Sequence, residues 1–287
     1  MKIKEKVSEK FTVLNIDKIT YLIEKAGLLL KTRFNKRNSN HLIGKDSGFI
    51  KEKTENELQI REDLISQDLI IEGIKKIEPD AVIYSEELNN MHLLEKDENE
   101  MKYILDPLDG THNFYFGMPY WGIGLAVLNR YNESIAGLIY LPVLNIFIKN
   151  EGNNSPTLLK NGKDWIKCNT TIRPLGKSII CYDNQFYKLG DTAIKIYNIL
   201  AHNAFTTRIT GSAIADAALI ATGRINGRIW NKTEPYDIAP GIPIVLGSGG
   251  VVSDFQNNKV SVMNKSIIMC SDKLLHEKLI QEINLIM

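Results

Sequence analysis

A layered protein of mixed class, α+β in its first half and α/β in its second, is what this 287-residue chain predicts. Two observations carry that expectation. Residues 121–149 hold three apolar runs separated by a few turn residues, and connections that short require antiparallel neighbours. From Ser178 onward strand-like and helix-like patterns alternate, the order that goes with more parallel pairing.

The elements follow in order. Asn15 to Phe34 carries Ile16, Ile19, Ile23, Ala26 and Leu30 at helical spacing. Residues 38–56 are polar, include Gly44 and Gly48, and suit a mobile loop or a hairpin. A second helix is expected from about Asp63 to Ile77, with Leu64, Ile71, Ile74 and Ile77 inward and Pro79 and Asp80 ending it. Short strands at Ala81–Tyr84 and Tyr103–Leu105 deliver Glu86 and Asp106 at their exits. Strands are expected at Trp121–Leu128, Ser134–Tyr140 and Asn145–Lys149. A polar stretch, Glu151 to Lys163, opens the second half. There, strands at Ser178–Tyr182 and Thr207–Ile209 flank a helix at Asp191–Ala201. An alanine-rich helix, Ser212 to Thr222, stops at Gly223. A helix near Asp237, a strand at Val251-Val252 and a closing helix at Lys273–Ile286 complete the chain. The expectation is one domain, 1–287, with halves of about 1–160 and 161–287.

A net charge of +1 gives no general reason to bind a nucleic acid polymer or a membrane. The three cysteines, Cys168, Cys181 and Cys270, form no CxxC pair, and the five histidines are dispersed, which argues against zinc and against a disulfide scaffold. The first ten residues are charged, and no run of eighteen apolar residues occurs, so a cytoplasmic protein is expected.

The chemistry concentrates in Asp106-Pro107-Leu108-Asp109-Gly110-Thr111-His112-Asn113-Phe114. Two carboxylates follow a strand, in what reads as a turn stiffened by Pro107. Gly110 permits close backbone approach, and the N–H groups of a helix start at Thr111 suit a phosphate. Carboxylates facing an anion need cations between them, and hard oxygen ligands point to magnesium. Glu86 sits at the end of a strand that can run beside the one ending at Asp106; alone, Ser85-Glu86-Glu87 reads as a solvated acidic turn. Asp237, in Tyr236-Asp237-Ile238-Ala239-Pro240-Gly241, alone reads as an N-cap.

In this order the segments Glu86-Glu87, Asp106 to Phe114, Gly211-Ser212-Ala213 and Tyr236 to Gly241 resemble the inositol monophosphatase family, over nearly the whole chain. The resemblance implies a layered αβαβα sandwich and a magnesium-dependent phosphatase holding two or three Mg2+ ions. Glu86, Asp106, the Leu108 carbonyl and Asp109 would bind the first ion. Asp106, Asp109 and Asp237 would bind the second, with Asp63 near a weaker third. Gly110 and Thr111 would hold phosphate through backbone N–H groups. Glu86 and the Thr111 hydroxyl would position the attacking water. Gly211, Ser212 and Ala213, with Asp237, would lie on the substrate side. The implied substrate is a small soluble phosphate ester, inositol 1-phosphate first; fructose bisphosphate, adenosine bisphosphate or histidinol phosphate are the alternatives. The implied assembly is a homodimer.

Three departures matter. Tyr236 stands where the family has Trp, Ile60-Arg61-Glu62 replaces a Thr upstream of Asp63, and Trp230 occupies the place of a Glu that contacts substrate hydroxyls in inositol-specific members. Trp230 cannot accept hydrogen bonds, and either stacks on a ring or packs in the core. His112 invites a role as general base but reads as a surface residue or one standing behind the groups that touch metal and substrate. A nucleophilic-aspartate phosphatase is excluded by spacing, since its acids stand two apart and these stand three apart. A catalytically silent metal-binding regulatory protein should have lost one of the acids, and all are present.

Overall fold

A computed structural model of the chain describes residues 15–39, 51–54, 57–152, 155–183 and 186–286. Helix and sheet alternate in five layers, as expected. The first layer is α1 (Ile16–Ser39) and α2 (Arg61–Ile77). The second is a sheet of β3 (Val82–Ser85), β4 (Met101–Asp109), β5 (Gly122–Asn129), β6 (Ser134–Leu141), β7 (Ile146–Asn150), β8 (Leu158–Asn161) and β9 (Asp164–Lys167), in that spatial order. β3 and β4 pair in parallel, and the pairs from β4 to β9 are antiparallel. The middle layer holds α5 (Ala213–Ala221), α6 (Pro235–Ile238) and α7 (Gly241–Gly247).

The fourth layer is a second sheet, ordered β11 (Thr206–Arg208), β10 (Ile179–Cys181), β12 (Gly227–Asn231), β14 (Ser266–Cys270), β13 (Val251–Asp254). Its first three strands are parallel, and β14 runs antiparallel to both neighbours. The outer layer is α4 (Phe186–Asn203) and α8 (Lys273–Asn284), which bury Ile196, Leu200, Leu275, Leu279 and Ile283 against Ile180, Ile229 and Ile268.

Strand alternation divides the core. Tyr103 and Leu105 of β4 pack with Ile19, Ile23, Leu30 and Ile74 on one face, whereas Ile104 packs on the other with α5 and α7. Every residue of α5 is buried, because a helix between two sheets has no solvent face. Its alanines let both sheets approach, and its one charge, Asp216, is paired with Arg228 of β12.

The differences from expectation have physical causes. α1 continues past Phe34 to Ser39. α2 turns Glu62, Asp63, Ser66, Gln67, Ile70 and Ile74 inward, while Leu64 is exposed and Ile71 and Ile77 are half-buried. Its first turns face polar partners, so counting apolar residues alone misorients it. Residues 38–56 contain β1 (Lys51–Thr54), which forms a hairpin with β2 (Glu57–Gln59) just beyond them; residues 40–50 and 55–56 lie outside the described ones. The polar stretch after Glu151 supplies β8 and β9, so the first sheet extends to Lys167. α4 begins earlier than Asp191, across a break at Gly190. β12 and β14 were not anticipated.

Candidate active site

In a regular strand, residues three apart point to opposite faces. In β4 the register slips: Asp106 pairs with Gly124 and Asp109 with Gly122, so three steps on β4 match two on β5. This bulge falls at Pro107 and Leu108, where the missing proline N–H does least harm to the ladder. It turns both carboxylates to one side. The segment is therefore an irregular strand, not the turn its sequence suggested. Ser66 of α2 donates to the Pro107 carbonyl at 2.7 Å, and the Leu108 N–H donates to Asp106 Oδ1 at 3.1 Å.

Gly110, at φ +80°, then swings the chain into α3 (Thr111–Tyr115). A Cβ at Gly110 would lie 2.6 Å from the Tyr120 carbonyl oxygen, so both the conformation and the space require glycine. The Thr111 hydroxyl lies 3.1 Å from Asp63 Oδ1 and 3.0 Å from the Leu108 carbonyl. Asp63 Oδ2 accepts the Ile60 N–H at 2.5 Å. His112 is exposed.

The second half contributes two pieces. Asp237 Oδ2 accepts from Thr233 Oγ1 at 3.3 Å and from the Glu234 N–H at 3.2 Å, which fixes the carboxyl and leaves Oδ1 outside the cap. Ser212 Oγ and the Ile214 N–H, the latter at 3.0 Å, donate to Asp109 Oδ2. The start of α5 thus anchors a site carboxylate, and Ser212 also caps α5 through the Ala215 N–H. Asn113 Nδ2 donates to the carbonyls of Tyr120 (2.5 Å) and Thr210 (2.8 Å), tying α3 to the turn before Gly211.

Asp106, Asp109 and Asp237 each place a carboxylate oxygen within 4.8 Å of the others. Glu86, in the tight turn after β3, stands outside this triad, yet after burial its charge is the strongest influence raising Asp106. Burial pushes Asp106, Asp237 and Asp63 well above the usual carboxylate range, and raises Asp109 against the opposing pull of its Ser212 and backbone donors. Asp109 adds repulsion to Asp237, and Glu87 and Glu86 to Asp63. At these separations each charged pair costs about 3–4 kcal/mol at an effective dielectric near 20. Divalent cations relieve that cost, and an all-oxygen donor set fits a hard ion rather than zinc.

Trp230 is 1% exposed and packs in the middle layer, so it does not stack on a substrate ring. Ser66, Asn113 and the buried pair Asp216–Arg228 also brace the site, and none of them has a role legible in the sequence. A polar stripe at positions 62, 63, 66 and 67 of an otherwise amphipathic helix was the available signal for Ser66. Asn113 lay inside the motif without an assigned role.

The model of the inositol monophosphatase family matches residues 13–287. A Thermotoga maritima protein named fructose-1,6-bisphosphatase/inositol-1-monophosphatase is 28% identical over 263 residues, covering 92% of this chain and 93% of its own. The Nus factor SuhB of Haemophilus influenzae is 31% identical over 224 residues, covering 76% and 79%. Among solved structures, a Thermotoga maritima IMPase shares 25% identity at a TM-score of 0.77, covering 94% of this chain and 97% of its own. The inositol monophosphatase of Anabaena shares the fold at 19% identity and a TM-score of 0.76. A match running from residue 13 to the last residue, over a fold that gathers the motif acids into one cluster, shows that the chain belongs to the inositol monophosphatase family.

Proposed function

We propose that this chain is a magnesium-dependent phosphomonoesterase acting on a small phosphate ester, with inositol 1-phosphate as the first candidate. The observation that carries this reading is the convergence of Asp106, Asp109 and Asp237, whose charged forms are all disfavoured without a counter-charge. These three, with Glu86 and the Leu108 carbonyl, would hold the cations, and Asp63 would serve a weaker third. When bound, magnesium supplies Lewis-acid chemistry: it neutralises phosphoryl and leaving-group charge and makes water more acidic.

The chain's own residues do the rest. The N–H groups of Gly110 and Thr111 face the phosphate, at a helix start whose first donors lack intrahelical acceptors. The Thr111 hydroxyl directs its proton toward Asp63 and the Leu108 carbonyl, leaving its oxygen to accept a hydrogen bond that orients the attacking water. Glu86 orients that water from the other strand end. Ser212, with the Ala213 and Ile214 N–H groups, holds Asp109 in place.

The bifunctional name of the Thermotoga maritima relative makes a sugar bisphosphate the second substrate to test. The name Nus factor belongs to other relatives, and the complete acid set here favours an enzyme over a silent regulatory protein. A homodimer in the cytoplasm, with one domain formed by both halves, accompanies this reading. Among the described residues no helix is long and apolar enough to cross a membrane. A monomeric mass in light scattering would reject the dimer.

The deciding experiment is phosphate release from inositol 1-phosphate, fructose 1,6-bisphosphate and adenosine 3′,5′-bisphosphate, with and without magnesium. Turnover that vanishes on chelation supports the reading and ranks the substrates. No turnover of any ester at any magnesium level refutes it.

A further inference from the structure

The buried ring of Trp230 lies beneath the guanidinium of Arg228, with Cζ 4.9 Å from the ring centroid. Residues two apart on β12 share a face, so both side chains point into the middle layer. Arg228 is itself buried. Its Nη1 meets Asp216 Oδ2 at 2.5 Å, and its Nη2 lies 3.9 Å from Asp183 Oδ2.

Asp216 stands in the first turn of α5 and is fully buried. Its Oδ1 accepts the Thr210 hydroxyl at 2.8 Å. A hydroxyl has one proton, so with that proton on Asp216 the Thr210 oxygen presents its lone pairs to the Ser212 N–H, 3.4 Å away. The Thr210 carbonyl accepts from Asn113 Nδ2, which pins the turn at Gly211, where φ is +75°, from a second side. Ser212 in turn donates its hydroxyl to Asp109 Oδ2. Trp230, Arg228, Asp216, Thr210, Ser212 and Asp109 thus form one run of contacts from the second sheet to the carboxylate cluster.

We propose that Arg228 is a positioning residue for the cation site, holding Asp109 in its ligating orientation through Asp216, Thr210 and Ser212, with Trp230 bracing the guanidinium. Trp230, standing where inositol-specific members carry Glu, then serves the cation site rather than the substrate. The physical reason is geometric: a carboxylate binds a divalent ion well only when its oxygens are held in place. A partner that orients a ligand is worth about 10–100-fold in metal affinity. This inference rests on the reading of Asp106, Asp109 and Asp237 as a magnesium site.

The test measures magnesium binding to the full chain by titration calorimetry, without substrate. It compares wild type, Thr210→Val, Arg228→Met, Arg228→Lys and the double variant Thr210→Val/Arg228→Met. Thr210→Val removes the hydroxyl of a half-buried residue and keeps the carbonyl that Asn113 uses. Thr210→Val and Arg228→Met should each raise the magnesium Kd about tenfold. Arg228→Lys, which keeps a cation for Asp216, should raise it less. Both positions act along one run of contacts, so the double variant should bind no more weakly than the worse single one, rather than about a hundredfold more weakly than wild type. A purely structural role would lower the unfolding midpoints and leave the Kd of the folded protein unchanged. An unchanged Kd in Thr210→Val or Arg228→Met therefore overturns the proposal, and so do multiplied effects in the double variant. If Arg228→Met does not fold, because Asp216 is left buried and unpaired, Arg228→Lys takes its place in the same cycle. A wild type that binds magnesium but cleaves no ester refutes the phosphatase reading and leaves this proposal to the calorimetry. A wild type that binds no magnesium refutes both.

Discussion

Asp109→Asn removes one negative charge from the carboxylate cluster while keeping its shape. Asp109 is 8% exposed, and its Oδ2 is held by Ser212 and the Ile214 N–H. An amide oxygen accepts the same bonds, so the anchor to α5 persists. The effect falls on the other side of the group, toward Asp106 and Asp237. With oxygens within 4.8 Å, each charged pair costs about 3–4 kcal/mol at an effective dielectric near 20. Without metal, the site already lowers that cost by retaining protons, so the relief from the substitution is smaller, about 1–2 kcal/mol, or a few degrees in Tm. Magnesium contributes the opposite way, about 1.4 kcal/mol for each tenfold excess over its Kd. The variant should thus be more stable than wild type in chelator and gain less from magnesium. Phosphate release should fall by about 100-fold or more, as when a group stabilising transition-state charge is lost. Thermal unfolding in EDTA and across a magnesium titration, beside phosphate release, reads all three. A wild-type response to magnesium, or near-normal turnover, would refute the placement of Asp109 in a cation site.

Two further outcomes follow from the same geometry. Asp63, Asp106, Asp109 and Asp237 have folded pKa values above their unfolded ones, so their contribution to stability is full below the ordinary carboxylate range and is lost as pH rises through the folded values. Magnesium competes with those protons, and the difference in unfolding midpoint with and without it should grow from pH 5 to pH 8; a constant difference would show that these carboxyls do not bind it. Gly110→Ala should cost more than about 2 kcal/mol and abolish turnover, because its Cβ meets the Tyr120 carbonyl at 2.6 Å as well as adopting φ +80°. Gly162→Ala, at φ +65° in open space, should cost about 1 kcal/mol, and equal losses at the two positions would remove the steric argument.

The legibility of the chain follows the range of the forces involved. Helices such as α1 and α8 repeat apolar residues along one stripe, and that local periodicity is visible without any partner. The central motif was visible because its chemistry is packed into nine consecutive residues. The face of α2 was not, because Glu62, Asp63, Ser66 and Gln67 are buried by partners that arrive from elsewhere: Thr111, the Pro107 carbonyl and Ser85. The bulge in β4 was hidden for the same reason. It exists only against β5, and a proline followed by a carboxylate reads locally as a turn.

Trp230 shows the limit most clearly. Its residue type settles that it accepts no hydrogen bond, but not whether it faces the substrate or the core; that depends on the partners of β12, and β12 itself was not foreseen. Once the strand is placed, position 230 must lie on the face of Arg228, and Arg228 must find its acids on α5 and beyond β10, respectively 12 and 45 positions earlier in the chain. A cluster of repelling carboxylates costs a sizeable part of the roughly 5–15 kcal/mol by which a domain is stable. Such a cluster survives burial only where the surrounding layers are over-determined. Here the apolar α5, pressed between two sheets and bonded to Asp109 at one end and Arg228 along its side, supplies that constraint to the carboxylate cluster.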